Sequence, residues 1–163
     1  MVYIAIPRNL LSTGTTAIRP TKQLKWISGL HNALKSIGAV QSNPYSWFAK
    51  TRECYVFTAE IDHKDQPRNK FNRLDGTFSK KVKPVSKACG DSSARIRNAQ
   101  DLFDAVADAY STQLQCQLLI VKGTKYGTTT GGVRAAVDGD NWMVTEFSGG
   151  VEKGFEFVLK RVE

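Results

Sequence analysis

Acidic residues are absent from the first 52 positions of this 163-residue chain. The same stretch carries seven cations: Arg8, Arg19, Lys22, Lys25, Lys35, Lys50 and Arg52. Residues 53–97 add ten Lys or Arg against six acids, and from Asn98 onward nine acids outnumber six cations. The whole carries a net charge of +8. An imbalance divided this way along the chain points to one face built to meet a polyanion, most often nucleic acid.

Other shortages exclude other classes. No apolar run exceeds a few residues, far short of the roughly 20 that a membrane-spanning helix needs. The opening MVYIAIPRNLL has neither a charged n-region nor a long apolar core, so it does not read as a secretory leader. The three cysteines, Cys54, Cys89 and Cys116, include no CxxC spacing, which suits a reduced, intracellular, cytoplasmic protein. Only two histidines occur, His31 and His63, and neither has a second ligand at metal-binding spacing. The glycine/threonine run Gly123–Gly132 lacks the G-K-[ST] ending of a phosphate loop and leads toward a strand. No metal or cofactor is expected.

What remains is ordinary globular composition, 41% hydrophobic and 23% charged, sufficient for one domain over residues 1–163. Val2–Ile6 reads as a short strand. Pro20-Thr21 opens a helix whose stripe of Leu24, Ile27, Leu30, Leu34 and Ile37 recurs every three or four residues until Gly38. In the strand Glu53–Asp62, Tyr55, Phe57, Ala59 and Ile61 alternate onto one face. Residues 63–91 are basic and irregular. Leu74-Asp75-Gly76-Thr77 there suggests a type I′ hairpin turn, with a weak strand over Thr77–Val85. Ser92 or Ser93 caps a second helix with the stripe Ile96, Ala99, Leu102/Phe103, Val106 and Tyr110. Its first turn holds Arg95 and Arg97 against the helix dipole, which calls for an anionic ligand or an internal partner.

Gln115–Lys122, Val133–Val137, Trp142–Phe147 and Phe155–Val162 read as a closing meander of strands. The order predicts an α+β fold: a mostly antiparallel sheet, two amphipathic helices packed on it, and a long basic hairpin or loop at 63–91.

Cations interleaved with aromatics mark the candidate interface, because single strands are held by cationic grooves and stacking rings. The candidates are Lys22, Lys25, Trp47, Lys50, Arg52, Arg68, Lys70, Phe71, Arg73, Lys80, Lys81, Lys83, Lys87, Arg95 and Arg97. Trp47, beside Asn43-Pro44, and Phe71, in a polar loop, are expected to be exposed. Lys80-Lys81-x-Lys83 is the leading phosphate contact.

The first functional expectation is a non-enzymatic protein that binds DNA or RNA, single-stranded or along its backbone. The alternative is an assembly subunit, as in a virion, that docks the basic arm on an acidic protein surface, including that of a second copy. A third reading is an inhibitor of a nucleic-acid enzyme or a small metal-dependent nuclease. In the nuclease version Glu60-x-Asp62-x-Lys64 ends a strand with acids for a divalent ion and a lysine for the attacking water, and Asp75 adds a ligand.

Overall fold

The computed structural model describes residues 23–61, 69–123 and 133–162. Its elements in chain order are β1 (Ile27–Ser28), α1 (Leu30–Ser36), β2 (Ala49–Lys50), β3 (Tyr55–Glu60), β4 (Asn69–Asn72), β5 (Thr77–Val82), α2 (Ser93–Thr112), β6 (Gln117–Lys122), β7 (Arg134–Val137), β8 (Asn141–Gly150) and β9 (Gly154–Val162).

These strands form two sheets. The first has the order β8-β9-β5-β4 and is antiparallel throughout. The second has the order β1-β7-β6-β3-β2 and is antiparallel except for one parallel pair, β3 with β6. Two helices and mostly antiparallel sheets give the α+β content that the sequence predicts, distributed over two sheets rather than one.

The main core lies between the sheets and α2. Phe57 and Ala59 from β3, Phe78 from β5, Leu118 from β6, Trp142 and Val144 from β8, and Phe157 and Leu159 from β9 meet Leu102, Val106 and Ala109 of α2. Tyr55 and Phe103 pack around this set. Rings here contact edge to face, as Phe78 does with Phe157 at 6.3 Å between centroids. A second cluster covers the other face of the β3 sheet, where Val56 and Leu119 meet Ala33 and Leu34 of α1. β3 is thus buried on both faces, which its alternation alone does not predict: Val56, on the side opposite Phe57, is fully shielded.

α2 matches its sequence pattern closely. The Ser92 side chain caps it by accepting from the Arg95 amide at 3.1 Å. The first helix does not match. It spans only Leu30–Ser36, and Ile27–Ser28 pair instead with Ala135 and Arg134. Gly29 makes the switch: its φ of +87° suits glycine, and its amide donates to the Val133 carbonyl at 2.7 Å. Trp26 then lies under the Lys122 ammonium at 4.1 Å instead of on a helix face.

Three further expectations are corrected. The β4–β5 connection is not a type I′ turn, because Gly76 alone within it has positive φ. An Asx arrangement holds it: Asn72 Oδ1 accepts from the Asp75 amide, and Asn72 Nδ2 donates to Asp75 Oδ2 at 2.7 Å. Its strands do not project as an arm. β5 is an interior strand paired with both β4 and β9, and Phe78 is fully buried. The four closing strands do not form one meander either. After β7 the chain leaves the second sheet at Asp138 and enters the first as β8.

Asp138 explains that corner. It is completely shielded from solvent. Its Oδ2 pairs with Arg73 Nε at 2.8 Å, and its Oδ1 accepts from Trp142 Nε1 at 2.9 Å and from the Asp140 amide at 3.2 Å. Arg161 reaches across, with Nε 3.2 Å from Asp140 Oδ2, Nη2 3.8 Å from Asp138 Oδ2, and its guanidinium 4.9 Å from the centre of the Trp142 ring. A buried charge is tolerated only with such partners. The expected strand Val2–Ile6 lies outside the described residues.

Candidate nucleic-acid interface

On the inner face of the first sheet the apolar sequence stops abruptly. Cross-strand register sets Phe71 beside Phe78 and Asn69 beside Lys80. The first pair belongs to the core; the second lines a cleft of about 750 Å³. From β3 come Thr58 and Glu60. The loop after α1 supplies Tyr45, Trp47 and Phe48, and the start of α2 supplies Ser92, Arg95 and Asn98. Lys81 and Lys83 stand at the mouth, both exposed. Neither Glu60 nor Lys80 is a free charge.

The aromatic wall is held by side-chain amides. Asn43 Oδ1 accepts from the Tyr45 amide at 2.9 Å, while its Nδ2 donates to Asn98 Oδ1 at 3.0 Å. Gln41 Nε2 donates to the Ser46 carbonyl at 3.0 Å. The Arg95 guanidinium stacks 5.1 Å from the Trp47 ring centre and pairs with Asp91 Oδ1 at 3.1 Å. The cation at the start of α2 therefore has internal partners, one of the two explanations its position demands. The Tyr45 ring, 79% exposed, has no place in the core.

No protein-family model matches the sequence, and no characterised protein matches it at a significant level. Among solved structures, the chain is similar to the crystal structure of KRYPTONITE in complex with mCHG DNA and SAH, with a TM-score of 0.40 and 13% identity. The match covers 86% of this chain and 27% of that one. A likeness of this size carries neither fold nor function across.

Of the fifteen residues proposed from sequence, the cleft gathers Trp47, Lys80, Lys81, Lys83 and Arg95. Lys25, Arg52, Lys70 and Arg97 are exposed elsewhere. Lys50 is exposed with its ammonium over the Tyr55 ring at 5.2 Å, and Lys87 Nζ bonds Ser93 Oγ at 3.0 Å. Two residues take structural positions. Arg73 is committed to Asp138, and Phe71 packs against Trp142 and Phe78 at 6.0 and 6.2 Å instead of facing solvent. Trp47 is half-buried under Arg95 rather than fully exposed. Lys22 and Arg68 lie outside the described residues, as do Asp62, His63 and Lys64 of the nuclease reading. Asp75 sits in the β4–β5 turn and does not line the cleft. Among the described residues no three His, Cys, Asp or Glu side chains group as metal ligands.

Sequence reasoning missed Asn69 and Asn98 as site residues. Asn98 left a faint trace, an amide beside the apolar stripe of α2 at a depth where an aliphatic residue packs better. Asn69 left none, because its burial depends on pairing with Lys80 across a hairpin.

A second, shallower groove of about 370 Å³ shares Lys81 and Lys83 with the cleft and adds Lys153, Glu156 and Gly149 from the β8–β9 hairpin. The two mouth lysines thus stand on a ridge between two depressions.

Proposed function

We propose that this chain is a non-enzymatic nucleic-acid-binding protein, which takes a single strand or exposed backbone along the Lys81–Lys83 ridge. The convergence of Trp47, Lys80–Lys83 and Arg95 on one cleft carries this reading. These residues come from three separate segments, and a merely solvated surface gives no reason for them to meet around an aromatic wall. The exposed lysines supply sequence-independent phosphate contacts, and the rings supply stacking surfaces.

The test is fluorescence anisotropy with labelled single-stranded DNA, duplex DNA and RNA at 50 and 200 mM salt. Six or more phosphate contacts weaken binding by roughly 10³-fold between those concentrations. Replacing Lys81 and Lys83 together with alanine lowers the slope of log affinity against log salt by about 1.4 for a single strand, at ~0.7 per contact. Absence of binding at 50 mM refutes the reading and leaves the cationic ridge as a docking surface for an acidic protein.

A further inference from the structure

We infer that the cleft is a pocket for one nucleotide, with its base inside and its phosphate held at the mouth by Lys81 and Lys83. This inference rests on the nucleic-acid reading and adds to it a ligand of defined size and chemistry.

Size comes first. A cleft of about 750 Å³ falls within the range of small-ligand sites, roughly 300–1,000 Å³, with room for a base and its sugar but not a duplex. The distribution of polarity comes second. Among the described lining residues the exposed lysines are Lys81 and Lys83, Glu60 and Lys80 have partners of their own, and two neutral amides are buried: Asn98 is 5% exposed and Asn69 6%. Amides at such depth are costly unless paired. Yet Asn69 Oδ1 is buried without any hydrogen-bond partner. Asn98 is held by one end only, its Oδ1 accepting from Asn43. An amide presents a donor and an acceptor in one plane, the pattern that reads the edge of a nucleobase.

The stacking surfaces come third. Tyr45 is exposed, and the partly exposed Arg95 guanidinium sits 5.1 Å from the Trp47 ring centre; both aromatic rings and guanidinium planes are platforms for unstacked bases. The Asn43 side chain bonds both the Tyr45 backbone and Asn98, so wall and floor are set relative to each other before a ligand enters. A site for phosphate alone has no need of two buried amides or an exposed tyrosine.

The experiment compares a labelled ten-nucleotide single strand with an abasic strand of equal length at 50 mM salt. Adenosine and cytidine 5′-monophosphates and ribose 5-phosphate serve as competitors. The intact strand binds at least tenfold more tightly than the abasic one, since one stacked base contributes roughly that factor. Asn69→Ala and Asn98→Ala each collapse the ratio toward one. Tyr45→Ala, at a largely exposed residue, lowers it in a protein whose melting is unchanged, so failure of a buried variant to fold leaves the question decidable. Competition by the nucleotides but not by ribose 5-phosphate identifies a free nucleotide as sufficient; discrimination seen only in the strand identifies a base within a chain. Equal affinity of intact and abasic strands, with no nucleotide preferred over ribose 5-phosphate, overturns the pocket while salt-steep binding leaves the broader reading standing. Nucleotide binding without strand binding does the reverse.

Discussion

Replacing Asp138 by alanine removes the acceptor at the centre of the corner between the sheets. The Trp142 indole N–H, fully buried, loses its bond at 2.9 Å, and Arg73 loses its contact at 2.8 Å. Arg161, whose side chain is only 3% exposed, loses the Asp138 carboxylate 3.8 Å from its Nη2 and keeps Asp140 Oδ2 at 3.2 Å from its Nε. Stranding one member of a buried ion pair costs about 3–5 kcal/mol. Typical domains hold only about 5–15 kcal/mol in total. At roughly 2–4 °C per kcal/mol for a chain of this size, the melting temperature falls by about 6–20 °C. Asp138→Asn keeps an acceptor for Trp142 and loses the charge, so it falls between the variant and the parent. Arg73→Ala, on the more exposed partner, destabilises less and leaves the salt slope of nucleic-acid binding unchanged. Circular dichroism melts read the first three effects and anisotropy the last. A drop below about 3 °C for Asp138→Ala would refute the claim that this cluster holds the corner, and an altered salt slope in Arg73→Ala would return that residue to the interface.

Other expectations follow from local geometry. Partial burial, together with the hydrogen bond to Asp108 Oδ2 at 2.6 Å, pushes the Tyr55 hydroxyl up to about 12. The folded state holds this proton more tightly than the unfolded state does. The linked stability is present in full below pH 10 and disappears as pH rises toward 12. In an ultraviolet titration a tyrosine step near pH 12 is expected that vanishes in Tyr55→Phe; an identical titration of parent and variant above pH 11 contradicts it. Burial likewise pushes the Cys116 thiol up to about 12, with the neighbouring Cys54 adding to the rise, so Cys89, exposed, reacts first with a thiol reagent and Cys116 only on unfolding. In Gly149→Ala the new Cβ lies 2.3 Å from the Gly154 carbonyl oxygen at a φ of +94°, which forces the β8–β9 hairpin open. A loss of roughly 1–3 kcal/mol in urea denaturation is expected, and an unchanged midpoint would mean the hairpin shifts freely.

Most of the local structure was legible. The Ser92 cap and the 3.6-residue stripe of α2 placed that helix to within about two residues at either end, because a long amphipathic segment with a clear cap has no competitor. β3, β6 and β7 stood out by alternation or apolar density. The first helix was overextended because Leu24 and Ile27 fit a helical period that Gly29 interrupts. Partnering was not legible: nothing in Tyr55–Glu60 or Gln117–Lys122 announces that they run parallel, and the buried Asp138 looks in sequence like one more turn residue. The interface was half legible. Its cations and Trp47 were visible as composition, but Asn69 and Asn98 acquire their environment only through tertiary packing, and Arg73 resembles a surface cation until Asp138 is placed beside it.

The parallel pairing of β3 with β6 sets a schedule for the living cell. Val56 meets Gln117, about sixty residues away, with the β4–β5 hairpin and α2 spelled out in between. Closing so long a loop is slow compared with forming a hairpin. On the ribosome, a nascent chain that has just released α2 already carries nearly every cation and ring of the interface. It lacks the strand against which Thr58 and Glu60 are fixed, and it lacks β9, the inner neighbour of β5. Such a chain can attract a polyanion through charge alone but has no shaped recess to discriminate with. On the proposed reading, selectivity therefore waits for the strands that follow α2, and a binding test on any fragment that stops before Gln117 measures charge attraction alone.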